Sequence, residues 1–201
     1  MTTQSRKVIH EKLEKDKATA VWMTNAGFFD CIPGNAPSCW NIEKLTGIKV
    51  KDVNLSGAIK TSLTQNGKTV TWECPILMKP VFIAEANHNP NQETVAYKDN
   101  GNWKSIFFSC NYIPSEALRL LADKAGVYQY SMSDDYFYLG YGFIGMQVKK
   151  TGMKKIQFPK NVDIYEYETQ ELIADNVKSF SFPAKAGDTK LFSIKNSVGK
   201  K

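Results

Sequence analysis

The sequence predicts an α/β layer over residues 1–131, built on a parallel sheet, followed by a small antiparallel β-sandwich-like domain over residues 132–201. Three observations point to it. Residues 104–130 make one strand, helix, strand pattern: the run at 104–110 is rich in Ile and Phe, Pro114 and Ser115 supply a helix start, and Gly126 stops the helix before β-prone residues 127–130. Such a crossover normally joins parallel strands and gathers polar turns at their carboxyl ends. Residues 18–23, ATAVWM, are a short apolar run of the kind buried on both faces of a parallel sheet, and they empty into the polar turn 24–27. Beyond Tyr130 no helix is signalled and short strands recur at close spacing.

In chain order, residues 5–16 predict an opening helix in which Ile9 and Leu13 pair at i, i+4. Residues 28–40 carry Pro33, Gly34 and Pro37 and read as a loop. A short helix over 41–46 follows, capped by Asn41 and ended by Gly47. Asn66-Gly67 marks a hairpin turn between strands at 59–64 and 69–73, within a β-prone insertion. Residues 80–84, PVFIA, predict a further strand of the layer, and 85–93 a polar loop. In the helix after Pro114, Leu118, Leu121, Ala122 and Ala125 fall on one side, which needs a sheet to cover.

Past residues 131–135, where the boundary is placed, the candidate strands are 136–139, 143–148, 155–158, 162–167, 178–182 and 190–194. Ile156 with Phe158, Val162 with Ile164, Phe180 with Phe182 and Phe192 with Ile194 alternate as in strands buried on one face. Gly152, Pro159, Asn161, Pro183 and Gly187 punctuate them.

With 201 residues, 42% of them hydrophobic, the chain is long enough to bury a core. The net charge of +6 is almost all lysine, with Arg6 and Arg119 the two arginines, and it is scattered. That pattern describes a solvated surface rather than a nucleic-acid interface, which favours arginine and a dense basic stripe. No apolar run approaches the roughly 20 residues that span a bilayer, and MTTQSRKVIHEKLEKDK lacks the apolar centre of a signal peptide. No membrane partner is expected.

Chemistry-bearing residues are sparse. Polar groups at the ends of apolar runs, Thr24, Asn25, Glu85 and Asn111, form a candidate polar pocket where α/β proteins place their sites. Cys31, Cys39, Cys74 and Cys110 lack metal-type spacing and read as buried thiols, with Cys31 and Cys39 flanking a loop they could bridge. Cys31 or Cys110 with His88 would be a displaced nucleophile and base, but the turn 24–27 has no cysteine, and His10 and His88 are the two histidines. Asp134-Asp135 reads as a solvated turn rather than a glycosidase pair. Glu85, His88 and Glu93 offer one nitrogen ligand among them, so no metal is expected. Gly140, Gly142 and Gly145 precede no helix, so they mark strand bends or close packing rather than a dinucleotide loop, and no cofactor is implied. Tyr128, Tyr130, Tyr136 and Tyr138 are candidate sugar-stacking residues, against the blander role of packing.

WKSIFFSCNYIPSEALRLLADKAGVYQYS, then YFYLGYGFIGMQVKKTGMKKIQFPKNVDIYEYETQELIADNVKSFSFPAKAGDTKLFSI, resembles the C-terminal portion of large bacterial glycoside hydrolases of the β-galactosidase type. ATAVWMTNAG and NIEKLTGIKV are similar to the segments preceding it there. The resemblance implies a class I glutamine amidotransferase-like, flavodoxin-like "trimerisation" domain and then a small β-domain, without the catalytic barrel. It further implies a noncatalytic accessory role in assembly. The parallel sheet expected here is short of its first βα units, which predicts an unpaired edge covered by a second copy of the chain or by the remainder of a longer polypeptide. A carbohydrate-binding module using residues 128–141 and a small hydrolase with an unplaced site are the alternatives.

Overall fold

Helix α1 (Thr3–Asp16) starts at Thr2, whose hydroxyl accepts the Ser5 N–H at 3.0 Å, and stops at Lys17, which turns left-handed and returns its N–H to the Glu14 carbonyl. The computed structural model describes residues 1–29, 36–53, 57–74, 81–84 and 94–196. They divide into two units, Met1–Ala125 and Gly126–Lys201. The division falls ahead of Ser131.

The first unit continues with β1 (Thr19–Met23), α2 (Cys39–Thr46), β2 (Val50–Val53), β3 (Ile59–Gln65), β4 (Lys68–Cys74), β5 (Val81–Ala84), β6 (Val95–Asp99), β7 (Lys104–Phe108) and α3 (Ser115–Lys124). β1 pairs in parallel with β7, from Thr19 opposite Lys104 to Met23 opposite Phe108, and β6 pairs antiparallel on β7's other side. The sheet is therefore β1-β7-β6 with one parallel pair, mixed rather than parallel throughout. β5 does not join it. It pairs antiparallel with β2 in a separate ribbon, so the expectation that residues 80–84 extend the layer fails because their ladder partners lie in residues 50–53. The hairpin around Asn66-Gly67 forms as expected, β3 with β4.

The alternation of side chains divides the mixed sheet into two packed faces. On one, Phe107 and Ala96 bury against Ile42, Ile48 and Val50, with Trp22 beside them. On the other, Ile106 and Phe108 bury against Leu63, Trp72 and Cys74 of the hairpin and against Ala117, Leu120 and Leu121 of α3. The expected stripe Leu118, Leu121, Ala122, Ala125 is thus out of phase. The helix turns Ala117, Leu120 and Leu121 inward and leaves Leu118 exposed. β1 is not buried on both faces either, since Val21 and Met23 are 39% and 45% exposed.

α2 begins after Ser38, so Asn41 is not its cap. Asn41 is buried within its first turn, where its Nδ2 donates to the Phe28 and Ala36 carbonyls at 3.2 and 3.3 Å and ties the preceding loop down. The helix does end at Gly47, at φ 72°, with its N–H on the Glu43 carbonyl at 2.8 Å. The left-handed backbone favours glycine there, and a Cβ would lie 2.6 Å from Asn100 Oδ1 and push that side chain aside.

The second unit holds β8 (Tyr136–Gly140), β9 (Phe143–Gln147), β10 (Gly152–Glu166), β11 (Leu172–Ala184) and β12 (Thr189–Asn196). These form one antiparallel sheet in the order β11-β10-β12-β9-β8, in place of the two facing sheets of a sandwich. The strands expected at 155–158 and 162–167 are one strand, β10, which continues past Pro159 because the ladder to β11 is irregular between Gln157 and Val162, where a missing N–H costs nothing. Ile144, Met146, Ile156, Phe158, Ile164 and Phe192 lead its core.

Residues 127–130 are not the second strand of a crossover. Their neighbour Ser131 bridges Ile156, the Gln157 N–H donates to the Tyr130 carbonyl at 2.9 Å, and Gln157 Nε2 donates to the Gln129 carbonyl at 2.7 Å. The backbone groups that a parallel sheet would have used are satisfied by β10.

Candidate functional site

The parallel pairing of β1 with β7 brings their carboxyl ends together, and the Thr24 N–H donates to the Cys110 carbonyl at 3.4 Å. Two of the predicted pocket positions, Thr24 and Asn111, therefore flank one strand-end junction. Asn25 stands in the same turn at φ 68°, its carbonyl accepting the Phe28 N–H at 3.0 Å. Glu85 lies outside the described residues, as do Cys31, His88 and Glu93.

What converges at this junction is structural hydrogen bonding. Asn111 Oδ1 accepts the Cys74 thiol at 3.1 Å. The Tyr112 carbonyl accepts the Cys110 thiol at 3.1 Å and Trp72 Nε1–H at 3.0 Å. Burial pushes the Cys110 thiol above its ordinary value and Cys74 adds to this, against the opposing bond to Tyr112. A neutral thiol is a poor nucleophile. His10 is spent elsewhere, with Nε2 2.7 Å from the Leu45 carbonyl and its ring stacked on Trp103 at 5.5 Å.

Asp134 and Asp135 separate in role. Asp134 is exposed beside Lys149 at 3.6 Å. Asp135 is the correction to a solvated turn: its side chain is 2% exposed, its Oδ2 lies 2.7 Å from Lys154 Nζ, and its Oδ1 accepts the Lys149 N–H at 2.7 Å. Burial pushes its carboxyl up, but Lys154, the Ser133 hydroxyl and the Lys149 N–H outweigh it and hold the group below the usual aspartate value. Glu166 and Asp188 are also held low, first by backbone N–H groups of Thr169 and Lys185 in the turns they close.

The four candidate tyrosines fall on opposite sides of the second unit's sheet. Tyr130 stacks on Phe137 at 6.3 Å and meets Phe158 edge-on at 6.4 Å, so it belongs to the core side, and Tyr128 packs edge-on against it at 5.0 Å. Tyr136 and Tyr138 alternate onto the outward face, 54% and 60% exposed. The register places three rows there: Tyr136, Gln147, Thr189; Tyr138, Gly145, Leu191; and Gly140, Phe143, Ser193, Tyr165. Tyr167 joins at the margin, edge-on to Phe143 at 6.5 Å. Phe143, Leu191 and Tyr167 were not singled out in the sequence. For Phe143 the signal was the alternation of FIGMQ, in which Phe143, Gly145 and Gln147 share one side and Ile144 and Met146 the other.

Among the described residues no helix is long and apolar enough to cross a membrane, and no three His, Cys, Asp or Glu side chains gather as a metal site. No protein-family model matches the chain, and no curated protein does. Among solved structures, the fold is similar to part of a polyextremophilic β-galactosidase from the Antarctic haloarchaeon Halorubrum lacusprofundi, with a TM-score of 0.52 and 13% identity. The likeness covers 96% of this chain and 30% of that one, so the chain matches a minor part of the longer protein.

Proposed function

We propose that the chain is a noncatalytic accessory and assembly region of a glycoside hydrolase of the β-galactosidase type, its α/β unit being the amidotransferase-like domain. The observation that carries this is the outer edge of β1. Among the described residues β1 pairs only with β7, and Val21 and Met23 alternate on the face where Ile106 and Phe108 are buried, yet remain exposed themselves. An edge strand carrying uncovered apolar side chains is a template for a further strand or a packing partner, and proteins seldom leave one in water. A second copy of the chain, or the remainder of a longer polypeptide, is that partner. The likeness to 30% of a β-galactosidase supports the reading from the side of fold.

Sedimentation velocity over a range of concentrations tests the assembly. The chain is expected to associate, and Val21→Lys with Met23→Lys to shift it to monomer while its circular dichroism is kept. A single sharp monomer for the unaltered chain at working concentration counts against the proposal.

A further inference from the structure

Gly140 and Gly145 interrupt the outward face of β8 and β9, and at Gly140 an aromatic side chain takes the space a Cβ would fill. The Phe143 ring lies over Gly140, and Tyr138 Cβ and Cδ2 come within 3.6 and 3.8 Å of the Cβ position of Gly145, with Leu191 Cδ2 at 3.3 Å on its other side. Gly140 lets the Phe143 ring lean across the sheet instead of standing off it, a cover for a strand glycine that also turns a ring face outward, whereas Tyr138 makes ordinary contact beside Gly145.

Charged residues make up 23% of the chain, and on this face they stand at the margins: none is in the three rows, while the next pair along the ladder is Asp163 and Lys195, with Lys195 Nζ 4.1 Å over the Tyr165 ring. What interleaves with the rings is uncharged: Gln147, Thr189 and Ser193. At the margin, Gln170 Nε2 donates to Ser193 Oγ at 3.1 Å, which leaves the Ser193 hydroxyl proton to be donated outward. Lys149 at the other margin sits 4.5 Å over the Tyr136 ring and beside Asp134, so its charge is spent locally.

We infer that this face is a binding platform for a neutral oligosaccharide, with Tyr138 and Phe143 as the stacking residues and Gln147, Thr189 and Ser193 as hydrogen-bonding partners. A pyranose ring is apolar on its C–H face and carries hydroxyls around its rim. It therefore matches ring faces set among uncharged donors and acceptors, whereas an acidic sugar or a charged peptide meets only Lys149 and Lys195, each already seated over a tyrosine ring with an aspartate beside it. The choice of a sugar draws on the glycoside hydrolase reading above. The geometry of the face stands without it.

Titration calorimetry of the full chain with short neutral hexose oligosaccharides, of galacto and gluco configuration, tests this against a uronic-acid oligosaccharide of the same length. The neutral ligands are expected to bind and the acidic one not. Tyr138→Ala should weaken binding by about tenfold or more, the loss of one stacked ring with its buried area. Phe143 also covers Gly140 and its removal can unsettle the sheet, so Tyr138→Leu serves as the second variant: it keeps an apolar cover on Gly145, removes the ring face, and should weaken binding similarly. Tyr97→Ala, which removes an exposed tyrosine of the first unit, should leave binding unchanged. No heat with any neutral oligosaccharide at millimolar concentration overturns the inference, as does binding that both Tyr138 variants retain. Loss of self-association in the Tyr138 variants without sugar binding would make the face a protein interface and overturn it too. The Val21 and Met23 variants report on assembly separately, so either proposal can fail while the other holds.

Discussion

Lys154 Nζ lies 2.7 Å from Asp135 Oδ2, with 7% and 2% of the two side chains exposed. Two charges withdrawn this far from water persist because each neutralises the other, and the Lys149 N–H on Oδ1 and the Ser133 hydroxyl favour the carboxylate further. Removing one partner leaves the other buried and uncompensated. Asp135→Ala is expected to cost about 3–5 kcal/mol in denaturant unfolding, while replacing both residues with apolar ones of similar volume costs far less. The carboxyl is held below its ordinary value in the folded state, so its contribution is present above the unfolded aspartate pKa and disappears as pH falls through the folded one. The acid limb of the stability curve, below about pH 4, should therefore flatten in Asp135→Ala.

The phase of α3 is checked by two neighbouring leucines. Leu121 is buried against Ile106 and Phe108, whereas Leu118 is 47% exposed. Leu121→Ala should cost about 2–5 kcal/mol of unfolding free energy, and Leu118→Ala should stay within about 0.5 kcal/mol of zero. Equal losses at the two positions would show that the helix buries the other stripe.

The β3–β4 turn makes a third test. Asn66 and Gly67 both have positive φ, 51° and 73°, as a two-residue turn that follows the twist of its strands requires. Gly67→Ala is expected to destabilise by about 1–2 kcal/mol, the strain of forcing a Cβ into the left-handed region, and Asn66→Gly to be nearly neutral. Thermal unfolding followed by circular dichroism reads both.

These cases also show what was legible in the sequence. Gly47 and Asn66-Gly67 were, because a left-handed residue is a local demand that few side chains meet. The helix phase was not: apolar residues stand at 117, 118, 120, 121, 122 and 125, and two overlapping stripes satisfy the same period. Residues 127–130 have β propensity, but their hydrogen bonds go to Gln157, a partner about thirty residues away that propensity does not name. At the candidate platform, strand alternation assigned Tyr136 and Tyr138 to one side together. Which side faced water depended on Ile144, Met146 and Phe192 forming the core beneath.

The strand-end cysteines give the last prediction. Cys110 and Cys74 are each 2% exposed, their thiols donate to the Tyr112 carbonyl and to Asn111 Oδ1, and burial holds the Cys110 thiol above its ordinary value. Thiolate, not thiol, is the nucleophile, so native Cys110 should resist an alkylating probe at neutral pH and react only after unfolding, by a factor of at least about ten between the two states. Mass analysis of labelled peptides reads the two cysteines separately. The raised pKa also fixes a sign: the Cys110 contribution is intact below the unfolded thiol value of about 8.5 and is lost as pH rises through the folded one, so mild alkali should loosen the first unit. Cys110→Ala, which removes the titrating group at the cost of a small cavity, should reduce that alkaline sensitivity. Rapid labelling of native Cys110 near pH 7 would instead return the strand-end junction to consideration as a catalytic site.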